Sequence, residues 1–270
     1  PGSRKWLLAG IAAAVVIAVA GWPRVHVDNS SKSFFSDALP LQQDDTLLNS
    51  ATGGTNVLYI MADTGVQDGV KDPAVMAAIR RVQSAAAGSP IVGKTLSIDD
   101  FLQRMHQAAE GDPGEPAPLP DDRDLIAQYL FLYSLSGDPE DFSAHVDYDY
   151  QRAKISVMLR TNSNAEIKQL VEELTATAEA AFPDDVAISF GGEVAQTIAV
   201  TDVMVRSKLL NIAQILFVIF CVSAVAFRSL LAGALVLMPL LVVLSVVFGV
   251  MGYMGIPLNI PNSLISAMAV

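Results

Sequence analysis

Between Leu209 and Phe227, and again between Leu230 and Tyr253, the chain carries no charged side chain, and only Arg228-Ser229 separates the two stretches. At 19 and 24 residues they match the roughly 20 that a helix needs to cross a hydrocarbon core, and the two-residue link makes them a tight helical hairpin. Asn211, Gln214 and Ser223 are polar members of the first stretch, and Pro239 interrupts the second. Such residues are tolerated in lipid where they face other helices, so Asn211 and Gln214 read as helix contacts rather than as a substrate path. A third uncharged stretch, Trp6 to Trp22, has 17 residues, about 25 Å of helix. It leaves two readings open. Tryptophans at both ends suit a short span with interfacial anchors, whereas Arg4-Lys5, an apolar core and Ala18-Val19-Ala20 suit a cleaved signal peptide.

The charge missing from these stretches is concentrated elsewhere. Of 270 residues only 17% are charged, against roughly a quarter in average proteins. All 28 acids lie between Arg24 and Lys208 with 14 of the 17 basic residues, a balance of 14 − 28 = −14; Arg4, Lys5 and Arg228 bring the total to −11. The chain is an acidic polar domain framed by apolar flanks, which excludes nucleic acid and anionic lipid surfaces as partners of that domain. Its one thiol, Cys221, lies in an apolar stretch, so no intrachain disulfide forms. Arg4, Lys5 and Arg228 mark one side as cytoplasmic, although Arg24, Arg206 and Lys208 balance them in number. A long domain translocates whatever its charge, and a two-residue turn holding an arginine suits the cytoplasm. The polar domain is therefore expected outside. Gly255 to Pro261 reads as an outer loop, and Asn262 or Ser263 as the cap of a helix beginning at Leu264. With seven residues before Val270 and Pro1 at the start, the chain is expected to be part of something longer. The resulting division is 1–23 (first span), 24–207 (polar domain, with a linker near 111–122), 208–254 (second and third spans) and 255–270 (loop and start of a fourth).

Within the polar domain, Val57 to Met61 is a short run of strand formers after Gly53-Gly54-Thr55. Pro73 opens a helix whose stripe is Val75, Ala78, Ile79, Val82 and Ala86. Pro90 to Ile98 reads as a strand, and Ser97 with Asp100 forms a capping box before a helix carrying Phe101, Leu102, Met105 and Ala109. Four prolines in Gly111–Asp122 mark a linker, followed by a helix from Arg123 to Leu135. The order then recurs: an alternating strand Lys154–Leu159, a helix capped by Ser163 and Glu166 and ended by Pro183, and a strand Val186–Phe190. Two strand-helix-strand units predict an α+β domain with helices on one face of a sheet. A last helix, from about Glu193, runs on into the second span.

Several strings invite chemistry. Gly88-Ser-Pro-Ile-Val-Gly93-Lys94-Thr95 spells a phosphate loop, with Asp63 as a conceivable magnesium partner. A phosphate loop must leave a strand and enter a helix. This one follows an alanine-rich helix, contains Pro90 and runs on as a strand, so nucleotide binding is disfavoured. His26, His106 and His145 are far apart in sequence without ligand spacing, and no metal is expected. His145-Val-Asp147-Tyr-Asp149-Tyr lacks the glycine and later glutamate of a calcium loop and reads as a solvated strand edge. No Ser or Cys has a nucleophile setting. Gly191-Gly192-Glu193 reads as a turn and helix start, and Arg228 as a charge anchoring a cytoplasmic turn. Neither a catalytic residue nor a cofactor is assigned.

Several strings carry a resemblance: Gly191-Gly192-Glu193, Phe227-Arg228-Ser229-Leu230-Leu231, Met238-Pro239-Leu240 and Gly252-Tyr253-Met254-Gly255-Ile256-Pro257-Leu258-Asn259, with Ser33-Phe34-Phe35, Gly53-Gly54-Thr55 and Lys71-Asp72-Pro73. Together they resemble the resistance-nodulation-division (RND) exporters, in the branch called MMPL-type. The resemblance implies a retained first helix and an extracytoplasmic porter domain of ferredoxin-like units, in a multi-pass protein of the bacterial inner membrane with about 12 spans. It also implies export of hydrophobic or lipid-like substrates on the proton gradient, with the titrating carboxylates in the fourth span, beyond Val270. Membrane lipids, the substrate, further copies of the chain and accessory periplasmic proteins are the implied partners. A non-transporting membrane receptor of the same fold and a membrane-tethered nucleotidase are the alternatives. Gly191, Gly192, Glu193, Phe227, Arg228 and Ser229 are family positions without assigned chemistry.

Overall fold

A computed structural model describes residues 13–28, 32, 39–110, 121–136 and 143–259. Expectations placed on Ser33-Phe34-Phe35, the 111–120 linker and the helix from Leu264 lie outside the described residues. The chain divides into two compact units, Phe34–Gln196 on one hand and Pro1–Ser33 with Thr197–Val270 on the other.

The first unit is built on a four-stranded sheet of β1 (Asn56–Asp63), β2 (Val92–Leu96), β3 (Arg152–Leu159) and β4 (Ala187–Gly191). The order is β2-β3-β1-β4, and β1 is antiparallel to both neighbours, as is β3 to β2. Strands joined through a helix are therefore parallel and separated by one strand, the split arrangement of a ferredoxin-like unit. The two strand-helix-strand segments interleave into this one sheet.

Alternation selects the buried face. Leu58, Ile60 and Ala62 of β1 stand opposite Val157, Ile155 and Ala153 of β3, and all six are buried. The helices α3 (Pro73–Ala87) and α6 (Asn164–Ala181) pack there, α3 through Val75, Ala78, Ile79, Val82 and Ala86 and α6 through Ile167, Leu170, Leu174 and Ala178. Asp72 caps α3 by accepting from the Ala74 N–H (2.8 Å), ahead of Pro73 at the first helical position. Ser163 caps α6 through the Glu166 N–H.

Two helices, α4 (Ile98–Glu110) and α5 (Arg123–Ser136), are inserted between β2 and β3. The Ser97–Asp100 capping box forms: Asp100 accepts the Ser97 N–H at 2.7 Å, and Ser97 Oγ accepts the Asp99 N–H at 3.2 Å. Arg80 of α3 donates two parallel hydrogen bonds to the buried Asp99 carboxylate (2.8 and 2.9 Å), and this pairing holds the guanidinium pKa above its ordinary value. A helix without a sequence signal, α2 (Pro40–Thr52), precedes β1, buries none of its residues and ends at Gly53 in the left-handed region (φ 84°).

The strand edge expected at His145–Tyr150 is corrected. Only Val146 makes a β-bridge, to Ala153, and the following residues turn, with Tyr150 at φ 51°. Asp147 prefers the turn because its carboxylate accepts the Gln151 and Arg152 N–H groups (2.8 and 2.9 Å).

Backbone crowding is greatest where Gly53 meets Gly93. The register of β2 against β3 shifts between Val92 and Lys94, and a Cβ on Gly93 would lie 1.7 Å from the Gly53 carbonyl oxygen. Gly93→Ala is expected to destabilise this unit by about 1–3 kcal/mol through overpacking. Gly65→Ala, whose Cβ meets open space at φ +70°, should cost only the left-handed backbone penalty of about 1 kcal/mol. Thermal unfolding followed by circular dichroism checks the order; equal losses would contradict it.

Candidate functional site

The second unit contains the apolar helices. Described as helix are Ala13–Arg24 (α1, closing in a 3-10 turn), α7 (Gly192–Ala226) and α8 (Leu230–Met254); the last two are long and apolar enough to cross a membrane. The first turn of α7 belongs to the sheet-bearing unit and its body to this one.

The helices α1 and α8 meet along a seam of small residues. A Cβ on Gly249 would lie 2.5 Å from the Ala18 carbonyl oxygen, and one on Gly252 would lie 2.0 Å from that of Gly21. Without those side chains the backbones approach to van der Waals contact, the usual driving force where lipid removes any hydrophobic gain from helix pairing. Polar groups close the seam: the Trp22 indole N–H donates to the Ser245 carbonyl (3.4 Å) and the Tyr253 hydroxyl to the Ile17 carbonyl (2.8 Å), while Arg24 sits 5.0 Å from the Tyr253 ring centroid.

Ala18 with Gly249, Gly21 with Gly252 and Val27 with Leu258 pair in ascending order, the last as a parallel bridge. The helices α1 and α8 therefore run the same way, and the Arg228 turn that opens α8 lies at the end where α1 begins.

That turn is closed by its own backbone. The Ser229 N–H donates to the Ala224 carbonyl (3.0 Å) and the Arg228 N–H to that of Val225 (3.2 Å), the paired closure of a Schellman cap. Its left-handed position, usually glycine, is Arg228 at φ 52°. Ser229 caps α8 by accepting the Ala232 N–H, and Phe227 is exposed. At the other end of α7, Gly192 has φ +93°, and a Cβ there would lie 2.8 Å from the Val57 carbonyl oxygen, so the chain leaves β4 against β1 only with glycine. Glu193 is exposed in the first turn, where the helix dipole favours an acid; a Cβ on Gly191 would meet nothing within 4 Å. Asn211 and Gln214 are exposed, so no helix among the described residues covers them.

The phosphate-loop string has no phosphate-loop geometry. It spans the end of α3, a turn and β2, with Lys94 exposed on the strand. Asp63 lies six residues along β1 from Val57, which shares Met158 as partner with Lys94, roughly 20 Å away at strand rise. Its carboxylate accepts the Gly65 N–H (2.9 Å), Arg152 Nε (2.7 Å) and Gln151 Nε2 (3.1 Å), and these bonds, the Gly65 one foremost, hold its pKa below the ordinary aspartate value.

His106 and His145 are both buried; His106 Nδ1 is 2.8 Å from the Tyr129 hydroxyl, and the His145 ring packs at a tilt against Phe101, 5.0 Å between centroids. Among the described residues no group of three or more His, Cys, Asp or Glu is placed to hold a metal.

A four-stranded α+β unit is followed in the chain by two helices long and apolar enough to cross a membrane. The profile of the MMPL family matches residues 45–259, and the chain belongs to that family, whose members are membrane-embedded transporters. No curated protein matches the sequence.

Three outcomes are expected. In a Cys221→Ser background, Val27→Cys and Leu258→Cys should form an intrachain disulfide on mild oxidation, because bridged partners lie within disulfide reach; absence of the mobility shift would contradict the parallel seam. Arg228→Gly should raise the unfolding free energy by about 0.4–1 kcal/mol through relief of the left-handed backbone, while Arg228→Val should lower it, measured by thermal unfolding in detergent. The Asp63 bonds should stabilise fully above the unfolded aspartate pKa of about 3.9 and progressively less as pH falls through its depressed folded value. The melting temperature of Asp63→Asn should thus lie below that of the parent at pH 7, and the gap should narrow below about pH 4.

Proposed function

We propose that these 270 residues are the amino-terminal part of a proton-driven exporter of hydrophobic or lipid-like molecules in the bacterial inner membrane. In this reading 24–207 is the periplasmic porter domain, flanked by the first span and by the second and third spans within 208–254. The plan of the chain carries the proposal: an acidic α+β unit is inserted after the first apolar helix and before α7 and α8, and the chain belongs to a family of transporters.

No Asp or Glu lies between Leu209 and Tyr253. Proton coupling needs an ionisable group within the bilayer, so the relay belongs to a later span. Exposure of Asn211 and Gln214 supports further helices packing on α7, since uncovered amides are costly in hydrocarbon. The turn geometry of Gly192 and Arg228 gives those two positions a structural account.

The test uses the whole protein in proteoliposomes. Flux of a lipid-like substrate should follow an imposed proton gradient and stop on adding a protonophore. Flux indifferent to the gradient, or a fourth span without a titratable residue, would refute proton coupling. Ligand binding without flux would favour the receptor alternative.

A further inference from the structure

The helices α3 and α6 cover one face of the sheet, and the opposite face holds an unusual mixture of side chains. There Val57, Tyr59 and Met61 of β1 stand opposite Met158, Ser156 and Lys154 of β3. Lys94 and Leu96 of β2 extend the same rows, paired with Met158 and Ser156. An antiparallel sheet face left to water usually alternates to polar side chains. Here Val57, Tyr59, Leu96 and Met158 are half-buried and apolar, and Met61 is 37% exposed. Tyrosine and methionine are enriched where protein surfaces meet.

The charge of this face is opposite to that of its unit. Lys94 is exposed, and Lys154 Nζ lies 4.6 Å from the Tyr59 ring centroid. Among the described residues the one acid on the face is Asp63, which Arg152 holds at 2.7 Å. The face is thus net positive, in a stretch where acids outnumber bases 28 to 14. The two covering helices differ in turn. The helix α3 carries Arg80 and Arg81 and no acid. The helix α6 turns Glu172, Glu173 and Glu179 outward, all exposed, because Ile167, Leu170, Leu174 and Ala178 occupy its inner side. The outer side of α6 therefore complements the open sheet face in charge, and a helix laid there completes a helix–sheet–helix layering. Every copy of the chain carries both surfaces, and copies held in one membrane share an orientation, so the contact can repeat head to tail around a ring.

We propose that the open sheet face of one copy docks on the outer side of α6 of a second copy, with Lys94 and Lys154 facing Glu172 and Glu173. The contact goes beyond the export reading, because assembly is measured without substrate or gradient and stands or falls separately from flux.

Two differently tagged copies of the full chain, co-expressed and extracted in a mild detergent, test it by co-purification. Unsubstituted copies should co-purify. Lys94→Glu/Lys154→Glu in both copies should lower recovery by about tenfold or more, and so should Glu172→Lys/Glu173→Lys in both, because like charges are then brought together. Pairing one copy of each variant should restore recovery, since the new glutamates meet the new lysines and the unchanged surfaces still match; a misfolded chain would not recover. No co-purification of unsubstituted copies, variants that leave it unchanged, or a mixed pair that fails to recover would each overturn the proposal. So would a monomeric chain in which Met61→Cys resists a hydrophilic maleimide, because another segment of the same chain then covers the face. Flux by a chain that does not assemble would overturn this contact alone and leave the export reading intact.

Discussion

Charge is expensive in hydrocarbon, and the organisation of this chain follows from keeping it out. Placing Asp, Lys or Arg at the bilayer centre costs about 2.5–3.5 kcal/mol on insertion scales, so the segments free of charge are the ones able to stay in lipid. The acids lie between Asp28 and Asp202, and α8 and the apolar part of α7 lie outside that interval. The interleaved sheet with its helix layer is what the charged interval can build, because only there does apolar-polar alternation recur at strand and helix period.

Glycine does comparable work in both units, by letting backbone touch backbone. Gly93 against Gly53 allows β2 to close on the end of α2, and Gly249 and Gly252 against Ala18 and Gly21 allow α8 to close on α1. The first contact explains why a glycine stands in a string that spells a phosphate loop: it serves a close approach at a bulge. The second yields a parallel α1–α8 pair.

Much of the sheet-bearing unit was legible because its signals are local. The stripe of α3, the alternation of Ile155, Val157 and Leu159, and the caps at Ser97 and Ser163 each act within a few residues. The helix α2 was not legible, since Leu41, Leu47 and Leu48 are exposed and no periodic stripe is buried. Alternating acids at His145–Tyr150 imitated a strand although Asp147 uses its side chain to make a turn. The small-residue seam had a weak signal, Ala18 and Gly21 at one spacing and Ser245, Gly249 and Gly252 at another, but their pairing across more than two hundred residues is tertiary. So is the contact of Phe101 with His145. At the family positions, glycine geometry was legible at Gly192, whereas the left-handed Arg228 was not.

The export proposal requires the acidic unit and the Arg228 turn to lie on opposite sides of one membrane. With Cys221 replaced by Ser, Tyr148→Cys and Arg228→Cys can each be exposed to a membrane-impermeant maleimide, both positions being solvent-exposed. Position 148 should react in intact spheroplasts and position 228 only after permeabilisation. Reaction of both from the same side, or in the reverse order, would contradict the account.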